Sequence, residues 1–157
     1  QKLIIKIDIF FNGRSKLNNI MERLTTKRFN SNFKPNRTEF DWLSDDEDSV
    51  DNYIEDDLCG FKVTNGLWLD MVEGIESTFK DENYISDNKN LRILLVAGSK
   101  DPVGDNGKGV EKLYTFLKNH FKYLSLFTFG NGRHEIFNDL NKDRRYKLLT
   151  DFFDEEI

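Results

Sequence analysis

Cysteine and proline are scarce in this sequence. Cys59 is the single cysteine among 157 residues, and Pro35 and Pro102 are the two prolines. One thiol excludes a disulfide within the chain and a metal site built from several cysteines. Because this count fits a reducing compartment, we expect the protein in the cytoplasm, either free or at the periphery of a membrane.

Long apolar runs and an excess of basic residues are missing as well. No stretch approaches the roughly 18 apolar residues of a membrane-spanning helix, and the opening residues, QKLIIKIDIFF, lack the pattern of a signal peptide. The formal net charge is -5, from 23 Lys and Arg against 28 Asp and Glu. A protein that binds the phosphate backbone needs a basic surface, so we do not expect nucleic acid as a partner.

Two segments that invite comparison with ligand-binding loops do not fit them. The acidic run 45–57 lacks the glycine of an EF-hand loop. In the segment 104–109, a phosphate-binding loop would need glycine in place of Pro102 and Ser or Thr in place of Gly109. We therefore expect neither a metal nor a cofactor.

Helical patterns occupy much of the first half of the chain. The apolar residues of 3–11 fit a helix or a strand, and we favour the helix. Polar residues that can accept hydrogen bonds from a first helical turn precede three further amphipathic segments. The predicted helices cover about 3–11, 15–24, 44–57 and 64–80, the last three capped by Ser15, Ser44 and Thr64.

The second half predicts an α/β fold. Two apolar runs, 91–97 and 123–129, predict strands, and Val110 to Leu117 between them predicts a helix. Such a βαβ unit has parallel strands and a right-handed crossover. The unbroken apolar run 91–97 predicts a strand buried on both faces. A final helix is predicted at the C-terminus.

Two strands are too few for a complete parallel sheet. Parallel sheets have both faces covered and usually several strands, and residues 1–62 hold no pattern for four more. The chain therefore reads as the C-terminal end of a larger α/β protein. An unpaired strand edge at Leu91 predicts dependence on a missing half, a homodimer or a strand-swapped assembly.

Two ionisable residues directly follow the predicted strands. Asp101 comes after the first strand and His134 after the second. Adjacent parallel strands end at one edge of the sheet, where α/β proteins bind ligands. There an aspartate can fix the tautomer of an imidazole, whose second nitrogen takes a proton from a nucleophile. The pattern alone leaves open a turn-capping Asp101 and a surface His134, and His120, ending a helix, is expected to be a solvated cation.

Four short segments then carry a family pattern: RTEFDWLS at 37–44, DLCGF at 57–61, AGSKDPVG at 97–104 and RHEI at 133–136. In this order they resemble the C-terminal half of bacterial α/β-hydrolases of the monoacylglycerol lipase or lysophospholipase-like subgroup, the serine aminopeptidase S33 type. The resemblance implies part of an α/β-hydrolase fold: a helical cap, a terminal parallel βαβ unit and a C-terminal helix. It implies that Asp101 is the acid and His134 the base of a Ser-His-Asp triad.

The resemblance also divides the chain. It assigns residues 1–62 to a cap, or lid, over a pocket for an acyl chain, and residues 63–157 to the hydrolase core. It implies substrate-binding roles for Trp42, Leu58, Cys59 and Phe61. Packing between cap and core accounts for these side chains as well, and Cys59 also fits a small buried hydrophobe.

The nucleophile of the family has no counterpart in this sequence. It lies in a Gly-x-Ser-x-Gly turn, whereas Gly13-Arg14-Ser15 is followed by Leu17 in place of the second glycine. We therefore expect the C-terminal portion of a serine hydrolase, inactive alone, whose serine lies in a missing N-terminal half. The implied substrates are lipid-like carboxylic esters, monoacylglycerols or lysophospholipids. The alternative is a non-catalytic α/β binding or regulatory module, with the loop 104–109 as its candidate site.

Overall fold

A computed structural model describes residues 2–84 and 88–154, which form helices around a short parallel sheet. The helices are α1 (Lys2–Asn12), α2 (Asn19–Glu22), α3 (Arg28–Asn30), α4 (Glu47–Glu55), α5 (Asn65–Thr78), α6 (Lys108–Leu117) and α7 (Lys142–Asp154). The strands are β1 (Arg92–Gly98) and β2 (Tyr123–Phe129). Short π and 3-10 turns lie at Arg23–Lys27, Ser31–Phe33, Asp81–Tyr84 and Ile136–Asn138.

The apolar centre of the helical part joins α1, α2 and α5. Ile5, Met21 and Leu69 are buried together there, one from each helix. The helix predicted over 3–11 is therefore confirmed as α1, because Ile5 lies on its buried face. This packing crosses the boundary predicted between residues 62 and 63, and the division into cap and core stays a prediction.

The start of α2 differs from the prediction. Ser15 does not cap it; Asn18 does, since its side chain accepts a hydrogen bond from Met21 N at 2.8 Å. The Asn18 amide also donates to Asn65 Oδ1 at the start of α5. A buried contact between two helix starts thus fixes where α2 begins, which no local pattern reveals.

The start of α4 also differs. Asp46 is the N-cap, accepting from Asp48 N at 3.1 Å, and α4 ends at Glu55. Ser44 is buried, accepts from Asp46 N at 3.0 Å and donates to Asn138 O at 2.8 Å. Ser44 therefore ties this segment to the loop after β2. The predicted Thr64 cap of α5 is confirmed, because its hydroxyl accepts from Leu67 N at 3.3 Å.

The predicted βαβ unit is confirmed. β1 and β2 pair in parallel from Arg92 opposite Tyr123 to Gly98 opposite Phe129, and α6 connects them. Burial of β1 on both faces is wrong for residues 93–96, which are half-buried. In the described part of the chain the sheet has two strands. Both strands end at the edge where Asp101 and His134 follow.

Candidate catalytic site

The loops that leave β1 and β2 are bonded to each other. Lys100 N donates to Gly132 O at 2.9 Å, and Asn131 N donates to Ser99 Oγ at 2.9 Å. Gly98 makes this approach possible, since a Cβ there would lie 2.3 Å from Gly132 O. A side chain at position 98 would therefore separate the loops that carry Asp101 and His134.

The two residues singled out by the sequence are in contact. His134 Nδ1 lies 3.0 Å from Asp101 Oδ1, and the Asp101 side chain is 13% exposed against 37% for His134. Asp101 Oδ1 also accepts from Val103 N at 2.9 Å, which orients the carboxylate. Because Nδ1 faces Asp101, the second imidazole nitrogen, Nε2, is left to act on another group.

The contact changes the proton affinity of the imidazole. The hydrogen bond with Asp101 raises the pKa of His134 above its ordinary value of 6.5, although partial burial acts in the opposite direction. The charges of Asp101 and Glu135 add to the rise. The site thus favours the protonated ring, the form that a general base adopts after taking a proton.

The segment 41–46 covers one face of His134. The indole of Trp42 lies 5.2 Å from the imidazole between ring centroids, with the planes inclined by 35°. Main-chain bonds join the two stretches, from His134 N to Trp42 O at 3.4 Å and from Glu135 N to Leu43 O at 2.7 Å. Sequence reasoning named Trp42 as a substrate contact and missed its contact with His134.

Arg133 adds a side-chain tie between the same two stretches. Its Nη1 donates to Asp41 O and, at 2.7 Å, to Ser44 O. The guanidinium also lies 4.6 Å from the ring centroid of Phe33. The residue before His134 is therefore anchored to the segment that carries Trp42.

A cavity of about 570 Å³ lies behind Trp42. Its wall combines aromatic rings with charged side chains, among them Phe40, Trp42, Tyr53, Phe61, Lys27 and Lys62. Trp42 lines this cavity and also packs against His134, so the cavity lies next to the candidate site.

Of the other three predicted substrate-binding residues, one lines this cavity and two do not. Phe61 lines it although the side chain is 64% exposed, whereas Leu58 is 82% exposed and Cys59 is half-buried, and neither is part of the wall. Partial burial raises the pKa of the Cys59 thiol. Substrate binding by these four residues stays a prediction.

His120 lies in a separate aromatic cluster. Its Nε2 is 3.0 Å from Asp81 Oδ1, and its ring stacks on Tyr84 at 4.8 Å between centroids. The side chain is 12% exposed, so the prediction that water surrounds it is wrong. The turn Asp81–Tyr84 covers the end of α6 and removes the histidine from water.

Residues 2–84 and 88–154 contain neither a membrane-spanning helix nor a metal-binding cluster. In these ranges no helix has the length and apolar character to cross a membrane. The same residues include no cluster of three or more His, Cys, Asp or Glu placed to hold a metal ion.

The fold is that of an α/β-hydrolase. A solved structure of a highly thermostable carboxyl esterase from Bacillus coagulans, in complex with glycerol, superposes on the chain with a TM-score of 0.79. The two share 21% identity, so this likeness shows the fold alone. The match covers 96% of this chain and 48% of the esterase, so the chain spans about half of that structure.

The family follows from the sequence profile. The profile of the family "Serine aminopeptidase, S33" matches residues 6–141, and the chain belongs to this family. No curated protein matches the sequence. Family and solved neighbour together support an α/β-hydrolase fold.

Proposed function

We propose that this chain is the C-terminal portion of a serine hydrolase that cleaves carboxylic esters. Asp101 is the acid and His134 the base of its triad. The observation that carries the proposal is the 3.0 Å contact between Asp101 Oδ1 and His134 Nδ1, at the edge where parallel strands β1 and β2 end.

The chemistry follows from this contact. A serine hydroxyl supplied from outside this chain attacks the ester carbonyl, and His134 Nε2 takes its proton. The imidazolium then returns the proton to the leaving alcohol, and water repeats the sequence on the acyl-enzyme. Asp101 holds the reactive tautomer and stabilises the imidazolium, consistent with the raised pKa of His134.

Two observations support a nucleophile outside this chain. The sequence has no Gly-x-Ser-x-Gly turn, and the chain corresponds to 48% of the matched esterase. Large apolar side chains at the sheet are also exposed in the described residues, including Leu91 at 50%, Tyr123 at 40% and Phe127 at 37%. A missing half that completes the sheet would cover such surfaces; without it we expect inactivity, and a homodimer or a strand-swapped assembly.

The substrate we propose is a lipid-like ester, a monoacylglycerol or a lysophospholipid. The cavity that Trp42 lines has room for part of an acyl chain, and the aromatic rings among its polar and charged side chains would contact hydrocarbon. Residues 1–62 would then act as the cap that holds the acyl chain of the substrate, with Trp42 and Phe61 in contact with that acyl chain. Leu58 and Cys59 stay proposed contacts of a longer substrate.

A fluorophosphonate probe, which modifies activated serines, tests the proposal. We expect the intact protein containing this chain to be labelled and to hydrolyse p-nitrophenyl esters, and the 157-residue chain alone to do neither. An intact protein that is folded, resists the probe and leaves esters uncleaved would overturn the assignment.

A further inference from the structure

A fully buried carboxylate lies five positions beyond His134. The Asp139 side chain is 0% exposed, and each of its oxygens has partners. Oδ1 accepts from Asp45 N at 2.9 Å; Oδ2 accepts from Arg133 N at 3.1 Å and pairs with Arg145 Nη1 at 2.6 Å. A charge buried to this degree is tolerated only when paired and hydrogen-bonded, so the arrangement around it is closely specified.

The partners of this carboxylate lie on both sides of the base. Arg133 immediately precedes His134 in the chain, and Arg145 Nη1 also donates to Ile136 O, two positions after it. Arg145 itself is 4% exposed and projects from α7. One buried ion pair therefore holds main-chain atoms before and after His134.

The Asp139 carboxylate also connects the segment 41–46 to the loop of His134. Asp45 N belongs to the segment 41–46, whose Trp42 covers the imidazole. Asp45 returns a bond, since its Oδ1 accepts from Leu140 N at 2.8 Å. Displacement of Asp139 would thus disturb the loop of His134 and the segment that carries Trp42 together.

Regular secondary structure does not hold this loop. Residues 130–135 lie between β2 and the turn Ile136–Asn138 and are neither helix nor strand. The hydrogen bond with Asp101 orients the His134 ring. The ring can reach Asp101 only if the main chain of this loop is held in place, so its position also depends on the bonds that fix the adjacent main chain.

We propose that Asp139, through Arg133 and Arg145, is a positioning residue that acts with the main-chain bonds to Trp42 and Leu43 to set His134 Nδ1 against Asp101. Its effect on catalysis rests on the proposed ester hydrolysis, whereas its effect on the imidazole does not. Asp139 reaches neither the substrate nor the reacting atoms; it acts through the loop.

The test replaces Asp139 in the intact protein and measures His134 directly. In Asp139→Asn we expect the pKa of His134, followed by NMR, to fall toward its ordinary value, because the Asp101 contact that raises it loosens. For p-nitrophenyl acetate we expect kcat to fall about 100-fold, the loss typical of a misplaced catalytic group, with KM little changed. Asp143→Asn, which neutralises an exposed carboxylate four positions away, is the matched control and should change neither value.

Two further measurements separate positioning from general stability. A merely structural role lowers the melting temperature and leaves the pKa of His134 in the folded protein unchanged. Arg145→Lys keeps the charge beside Asp139 but cannot reach Asp139 and Ile136 O as the guanidinium does; we expect a shift in the same direction but smaller. This variant decides the question in the same way if Asp139→Asn does not fold.

The outcomes distinguish this inference from the proposed function. A folded Asp139→Asn protein with the wild-type pKa of His134 overturns the positioning role, whatever its activity. If the wild-type protein cleaves no ester, the proposed function fails, and the pKa measurement still decides the role of Asp139.

Discussion

Asp101 Oδ1 and His134 Nδ1 lie 3.0 Å apart although 33 positions separate the two residues in the chain. Two features bring them together: the parallel pairing of β1 with β2, and the bonded loops that leave those strands. The imidazole is held between this carboxylate and the Trp42 indole. Its Nε2 is thereby directed away from Asp101, as a general base requires.

Replacement of the base should abolish hydrolysis. In the intact protein we expect His134→Ala to lower kcat for a p-nitrophenyl ester on the order of 10⁴-fold or more, as removal of a triad member does. His120→Ala is the control, because His120 is paired with Asp81 in another cluster and should leave kcat unchanged. Near-normal turnover by a folded His134→Ala protein would show that His134 is not the base.

Activity should depend on pH through His134. A base acts when deprotonated, so kcat/KM should rise with pH through the pKa of His134, which lies above 6.5. In Asp101→Asn the rising limb of the pH profile of the residual activity should move to lower pH. The reason is that the largest cause of the raised pKa of His134 is removed. Rate profiles of both proteins test this, and an unshifted or upward-shifted limb in the variant would contradict it.

The same pairing should stabilise the fold at low pH. Because the pKa of His134 is raised on folding, its contribution is complete below the unfolded value near 6.5 and is lost as pH rises through the folded value. Urea unfolding of wild type and His134→Gln on both sides of that range measures the difference. A difference that grows with pH would show that the pairing is absent in solution.

The close approach of the two loops depends on Gly98. A Cβ at this position would lie 2.3 Å from Gly132 O and 2.4 Å from Arg133 O, both main-chain atoms. We expect Gly98→Ala to lower the free energy of unfolding by about 1–3 kcal/mol or more, since about 1–3 kcal/mol is the usual cost of overpacking. Gly74→Ala is the control: nothing lies within 4 Å of its Cβ in α5, so stability should be unchanged or rise by up to about 1 kcal/mol. Equal urea midpoints for both variants would refute the argument.

Local patterns in the sequence predict much of this arrangement. The features that they do not predict depend on contacts between residues distant in the chain. The apolar run before Gly98 and the placement of Asp101 and His134 after strands are local patterns, and they predict the βαβ unit and the shared edge. The sequence predicts Ser15 and Ser44 as helix caps, whereas the structure has Asn18 and Asp46 in these places. Asn18 is fixed by a buried hydrogen bond to Asn65, distant in the chain, and Ser44 is instead bonded to Asn138.

The surroundings of the imidazole were missed for the same reason. Trp42 reaches His134 because a stretch far from it in sequence folds over the loop, and no periodicity records that contact. Asp139 and Arg145 read as ordinary surface charges in a polar C-terminal segment. Their burial becomes visible only when α7 packs against the loop.

The cavity lined by Trp42 and Phe61 should contribute to selection of the acyl chain. Phe61 lines it, so in the intact protein Phe61→Ala should lower kcat/KM for long-chain p-nitrophenyl esters roughly 5-fold, equivalent to about 1 kcal/mol of lost apolar contact. Esters of acetate, which have no long acyl chain to place in the cavity, should be unaffected. Leu58→Ala is the comparison, since Leu58 is also a large apolar residue with an exposed side chain but lies outside the cavity wall. If Leu58→Ala lowers the long-chain rate and Phe61→Ala does not, the acyl chain binds outside this cavity.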